Sequence, residues 1–67
     1  MAIKLVKFEY GAYNQETRNI MVIREFMVDS NEDFQKLPKS DPGSTALSPT
    51  GDMMIVNASG EWVAFGG

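Results

Sequence analysis

Residues 20–28, with the sequence IMVIREFMV, decide how this chain folds. Their β-branched and aromatic side chains predict a β-strand. Successive side chains of a strand point to opposite faces of the sheet, and here both faces are apolar. Arg24 interrupts one face and Glu25 the other. The apolar members are Ile20, Val22, Phe26 and Val28 on the first face, and Met21, Ile23 and Met27 on the second.

A strand that is apolar on both faces needs cover on both, whereas an ordinary solvent-facing strand alternates apolar with polar residues. The chain has 67 residues and no cysteine, so it predicts one small domain, residues 1–67, without disulfides. A core of this size rarely contributes more than about 3–5 kcal/mol. We therefore expect a homo-oligomer or a larger protein partner. The candidate interface residues are Met21, Ile23, Met27, Met53 and Trp62.

Upstream, residues 2–10 predict a partner strand, so residues 1–28 form an N-terminal strand pair. The apolar side changes along this strand, from Ile3 and Leu5 to Phe8 and Tyr10. That change predicts either a β-bulge or a strand that is partly covered on both faces. The polar, turn-prone residues 11–19 predict the connection of a long hairpin.

Downstream, residues 29–38 predict a short helix, capped by Asp29 or Ser30 and ended by Pro38. Residues 39–67 predict a loop followed by a β-hairpin, with a brief strand at Thr45–Leu47. The hairpin strands are residues 52–56 and 61–65, the turn is residues 57–60, and Gly66 and Gly67 form a frayed end. The predicted fold class is mostly β: a small antiparallel sheet or partly open barrel with one short helix and a C-terminal β-hairpin.

The composition argues against catalysis and cofactors. The chain has neither histidine nor cysteine, the side chains most used for acid–base work and for zinc or haem ligation. Its carboxylates cluster in turns and near the helix start, where capping and solvation explain them. Asp29, Asn31 and Asp33 alternate like calcium ligands, but Phe34 and Ser40 stand where a calcium loop needs glycine and glutamate. We expect no enzyme activity, no metal and no cofactor.

Nucleic acid and membrane are also not expected as partners. The net charge is −3, and the six basic residues are scattered among nine acidic ones, so no basic stripe is present to neutralise phosphates. Uninterrupted apolar runs reach only three or four residues, such as residues 21–23 and 53–56, which is too short for a membrane span or a secretory segment.

Trp62 allows two interpretations, a core anchor or a binding aromatic, and the core is favoured because small domains depend on single large rings. Trp62, Phe65, Phe34 and Leu37 would then hold the C-terminal unit together. The methionines also allow both interpretations, core or interface, because methionine fills cores and also adapts to irregular partner surfaces.

Residues 33–63 resemble a module of small virion proteins of tailed bacteriophages, of the capsid-decoration and head-fibre type. The resemblance rests on an acidic helical turn ending in Leu37-Pro38, a loop with residues 43–46 (GSTA), the strand at residues 53–57 (MMIVN) and residues 60–63 (GEWV). Many members carry tyrosine within the strand that matches residues 53–56, where this chain has none. The resemblance implies a helical turn, then a small sheet closed by the strand that carries Trp62.

The resemblance implies a non-enzymatic subunit on the exterior of the phage head, made in the host cytoplasm, for which a trimer is one arrangement. Its partner would be the major capsid protein or another virion protein. The subunit would either decorate the capsid or anchor a fibre to it. The alternative is a small acidic inhibitor or adaptor that binds a host enzyme. A degraded enzyme or cofactor domain is a third hypothesis, and no residue in the sequence supports it.

Overall fold

The computed structural model describes residues 3–65. Five strands form one open sheet in the order β1-β2-β3-β4-β5, which confirms the mostly β fold. Residues 2, 66 and 67, which the sequence assigns to the first strand and the C-terminal end, lie outside the described residues. The elements are β1 (Ile3–Asn14), β2 (Asn19–Val28), a 3-10 helix (Asn31–Lys36), β3 (Thr45–Leu47), β4 (Met53–Val56) and β5 (Trp62–Ala64).

β1 and β2 form the predicted long antiparallel hairpin, which we call the arm. Two register shifts interrupt their pairing, one between Leu5 and Lys7 and one between Tyr10 and Tyr13. The first is the predicted bulge, and it moves the apolar residues after it onto the same face as those before it. The arm extends beyond the short strands β3–β5, and the backbone measures 36 × 24 × 17 Å.

The predicted connection over residues 11–19 is wrong, because β1 continues through Gly11 to Asn14. A β-carbon at Gly11 would lie 3.2 Å from Cγ1 of Ile23, so glycine lets the two strands stay close at the second bulge. The actual turn is residues 15–18, and the Asn14 side chain accepts hydrogen bonds from the backbone N–H groups of Glu16 and Thr17 at 2.9 and 3.2 Å. This local turn chemistry outweighs the breaking tendency of one glycine.

The sheet is mixed, because β3 runs parallel to β2 while all other neighbouring strands are antiparallel. β3 pairs only with residues 25–27 of β2. Earlier along the same edge of β2, side chains of the preceding loop replace a strand. Asp41 Oδ2 accepts from the N–H of Val22 at 2.7 Å, and Ser44 Oγ accepts from the N–H of Arg24 at 3.1 Å. β4 and β5 form the predicted C-terminal hairpin.

The core is small and lies at one end of the sheet. Its buried apolar side chains are Phe26, Val28, Ala46 and Val56. Trp62 packs edge-on against Phe26, with ring centroids 6.2 Å apart, and its Nε1–H donates to the carbonyl of Pro38 at 3.0 Å. The loop after the 3-10 helix is thereby tied to the core. Trp62 is a half-buried core anchor, the favoured interpretation of the sequence.

The 3-10 helix begins with the predicted cap at Ser30. The backbone N–H of Ser30 donates to Asp33 Oδ2 at 3.2 Å, and that of Asp33 donates to the Ser30 carbonyl at 3.0 Å. Phe34 and Leu37 are half-buried, as the C-terminal unit requires. The expectation for Phe65 is wrong, because 55% of this residue is exposed. It follows β5 and lines an open pocket together with Phe34 and Met53.

A polar clasp joins the helix start to the β3–β4 turn. Asn31 Nδ2 donates to Asp52 Oδ2 at 2.6 Å, and the Thr50 hydroxyl lies 3.0 Å from the same oxygen. Asp52→Ala removes the shared acceptor, and we expect it to lower the free energy of unfolding by about 1–2 kcal/mol. Urea denaturation measures the loss. Asp29→Ala, an equal charge change at an exposed residue, should cost less than about 0.5 kcal/mol; equal losses would contradict the clasp.

Candidate interaction surface

The register of the arm places all four of its aromatic side chains on one face. Residues paired across an antiparallel ladder point to the same side. Phe8 pairs with Arg24 and Tyr10 with Val22, so all four share the face of Phe26. We call the exposed part of this surface the arm face. Its apolar residues are Leu5, Phe8, Tyr10, Tyr13, Ile20 and Val22.

The arm face is open to solvent. Exposure is 56% for Phe8, 73% for Tyr10 and 54% for Ile20. Soluble proteins rarely expose large contiguous apolar patches, and where they do the patch usually marks an interaction site. A shallow groove runs across the surface between Leu5, Phe8, Tyr10, Val22 and Arg24.

The arm face stays open because the remaining elements cover only the other end of the sheet. The helix contacts β2. On this face of β2, only the side chains of Phe26 and Val28 are buried. Near the arm tip, Tyr13 and Ile20 pair with each other and remain 57% and 54% exposed. The arm face is therefore a candidate interaction surface.

Among the described residues, Arg24 is the only charged side chain on the arm face. The other charged residues of the two strands are Lys4, Lys7, Glu9 and Glu25, which the pairing places on the opposite face. Lys7 Nζ lies 3.8 Å from Glu25 Oε2 there. A surface of aromatic and aliphatic side chains with one arginine has the composition of a protein–protein interface core, from which lysine and acidic residues are depleted.

The opposite face of the sheet is apolar over β2–β5, and we call it the back face. Pairing brings Met27, Leu47 and Met53 into one row, and Ile55 and Val63 into the next. Phe65, two residues after Val63, continues this face, and its N–H donates to the Met53 carbonyl at 3.0 Å. None of these side chains is fully buried. The sheet thus has apolar residues on both faces, as the two-sided pattern of β2 indicates.

The predicted interface residues divide between the two faces. Met27 and Met53 lie in the same row of the back face, and Met27 is 41% exposed. Met21 and Ile23 lie on that side too but are half-buried, and a β-carbon at Gly43 would approach Ile23 Cδ1 to 3.2 Å. Trp62 lies on the other face, against the core. The five residues therefore do not form one site.

The sequence predicts that residues 2–10 and 20–28 pair with or pack on neighbouring chains, but it singles out no residue of β1 as an interface candidate. Phe8, Tyr10 and Tyr13 are nevertheless more exposed than Met27. The available signal was the change of apolar side along residues 3–10. A bulge between Leu5 and Lys7 brings Ile3, Leu5, Phe8 and Tyr10 to one side, and with them a continuous aromatic surface.

Other kinds of site find little support in the described residues. Within residues 3–65, no three side chains of histidine, cysteine, aspartate or glutamate are close enough to share a metal ion. Over the same residues, no helix has the length and hydropathy needed to cross a membrane. Comparison with protein-family models, with curated proteins and with solved structures found no match.

Proposed function

We propose that this protein is a non-enzymatic docking subunit whose partner is the capsid of a tailed bacteriophage, where it decorates the head or anchors a fibre. The observation that carries the proposal is the exposed arm face, with its aromatic side chains and single arginine. A docking role uses this surface directly, because binding would remove apolar area from water that the isolated chain leaves exposed.

The arm face also favours a particular kind of partner surface. Arg24 makes no ion pair among the described residues, so a partner carboxylate beside an apolar patch would complement it. Of the nine acidic residues, only Glu9 and Glu25 lie on β1 or β2, both on the other side. Of the other seven acidic residues, five are exposed and would then face solvent, which suits the exterior of a capsid better than its DNA-lined interior. They are Glu16, Asp29, Glu32, Asp52 and Glu61.

The assignment of the partner to a phage head rests on the resemblance in residues 33–63. In that reading the partner is the major capsid protein or another virion protein, and the particle exterior is the location. A large lattice would also stabilise a chain with a small core, since a partner that binds only the native state raises its apparent stability.

Substitution of the arm tip tests the docking surface. We expect Tyr13→Ser combined with Ile20→Ser to remove the chain from purified phage particles, because it deletes two exposed apolar side chains while leaving the core intact. The matched control is Val63→Ser with Phe65→Ser on the back face, which should remain on particles. Circular dichroism checks that both variants fold, and immunoblotting of gradient-purified particles measures occupancy.

Three results would contradict the proposal. Particles that lack the wild-type chain, with the protein free in the lysate and bound to a host enzyme, would indicate the acidic inhibitor or adaptor instead. Normal occupancy of the arm-tip variant would show that the arm face is not the docking surface. Loss of the back-face variant alone would move the docking surface to the back face.

A further inference from the structure

We propose that the free edge of β1 pairs in antiparallel fashion with β1 of a second copy, about a two-fold axis at Phe8. This inference concerns an edge rather than a face of the sheet. It goes beyond the proposed function and does not rest on it.

The edge itself is the first observation. β1 is the outermost strand of the sheet and, at 12 residues, its longest. Residues 4–13 are all exposed, and the strand contains no proline. Such an edge presents unpaired N–H and C=O groups that can template another strand. The opposite edge, β5, has only three residues.

The bulges confine the pairing to one segment. Register shifts near Val6 and across residues 11–12 leave residues 7–10 as a regular stretch, paired in sequence with residues 22–25. Bulges twist an edge and interrupt its ladder. A second strand therefore finds its straight template around Phe8 and Glu9.

The charges select the register within that stretch. An antiparallel pair centred on Phe8 places Lys7 of each copy opposite Glu9 of the other, and Phe8 opposite Phe8. A pair centred on Lys7 or on Glu9 would put like charges directly opposite, which is destabilising. Registers displaced by a single residue would put the arm face of one copy on the same side as the back face of the other.

The proposed pairing gives Glu9 an oppositely charged neighbour, which it lacks in the single chain as described. Glu9 lies across from Ile23 and makes no ion pair within residues 3–65. In the pair, Glu9 would lie beside Lys7 of the second copy, and Lys7 would stand between that carboxylate and Glu25. Both arm faces would lie on one side of a joined ten-stranded sheet, which doubles the continuous docking surface, and the two-fold closure makes a dimer.

Complementary charge reversals test the register. Lys7→Glu puts glutamate opposite glutamate in a homodimer, and Glu9→Lys puts lysine opposite lysine. In a heterodimer of the two variants, each facing pair of charged side chains is complementary. By sedimentation velocity at low salt, we expect each variant alone to show a dissociation constant raised about tenfold or more. Mixing them should restore wild-type association.

A cysteine placed on the axis gives a second readout, because the chain has no cysteine of its own. Facing residues in an antiparallel pair have α-carbons about 4.5–5.5 Å apart, within reach of a disulfide. Phe8→Cys should cross-link to a dimer on oxidation, whereas Tyr13→Cys, on the same face but off the axis, should not. A monomeric wild-type protein at all concentrations, unchanged association of both charge variants, or equal cross-linking at residues 8 and 13 would overturn the proposal. None of these measurements involves a capsid, so their failure leaves the docking proposal intact.

Discussion

Phe26→Ala should cause the largest loss of stability of any single substitution, lowering the free energy of unfolding by about 3–5 kcal/mol. Phe26 is 6% exposed and is the largest of the four buried apolar side chains. Truncating a buried phenylalanine costs about 3–5 kcal/mol, because apolar contacts are lost and a cavity remains. A domain of this size has a total stability of roughly 3–10 kcal/mol. The variant should therefore lose its β-sheet signal in far-UV circular dichroism, or unfold at much lower urea concentration than the wild type.

Phe65→Ala is the matched control, since it makes the same substitution at a residue that is 55% exposed. We expect it to cost less than about 1 kcal/mol. Both variants are compared at one protein concentration, because self-association raises apparent stability. Equal losses in the two variants would mean that the core does not lie at the helix-covered end of the sheet.

Much of this fold could be predicted from local sequence chemistry. The two-faced pattern of residues 20–28, the Ser30 cap and the turn residues of the C-terminal hairpin specify β2, the short helix and β4–β5. Each depends on side chains only a few positions apart. The parallel pairing of β2 with β3 could not be predicted in this way. It depends on the Asp41 and Ser44 side chains, which accept hydrogen bonds from backbone N–H groups at the edge of β2, about twenty residues earlier in the chain.

The candidate surface was harder to predict than the fold, because exposure depends on what the rest of the chain covers. The pattern of β2 indicates that both faces are apolar. It does not indicate that the helix and loops cover one face at Phe26 and leave it open at Ile20. The side to which Phe8 and Tyr10 point depends on one bulge, and a bulge can be located only once the pairing register is known.

Trp62→Ala should have the second largest effect, with a loss of about 3 kcal/mol in the free energy of unfolding. Trp62 is half-buried, which places the expected cost at the low end of the range for aromatic truncation. Two contacts contribute to it. The edge-on packing against Phe26 at 6.2 Å accounts for about 0.5–1.5 kcal/mol beyond the buried area, and the hydrogen bond to the Pro38 carbonyl for about 1 kcal/mol.

Trp62→Phe separates the two contacts, because phenylalanine keeps an aromatic ring beside Phe26 but has no N–H to donate. We expect it to cost about 1 kcal/mol, the hydrogen bond alone. The ring–ring contact is measured by a second set of variants, Trp62→Leu, Phe26→Leu and the two combined, because each single substitution removes one of the two rings and the set forms a double-mutant cycle. A coupling of about 0.5–1.5 kcal/mol is expected. Additive losses would mean that the two rings do not contact each other, and Trp62 would then be free to serve a partner instead of the core.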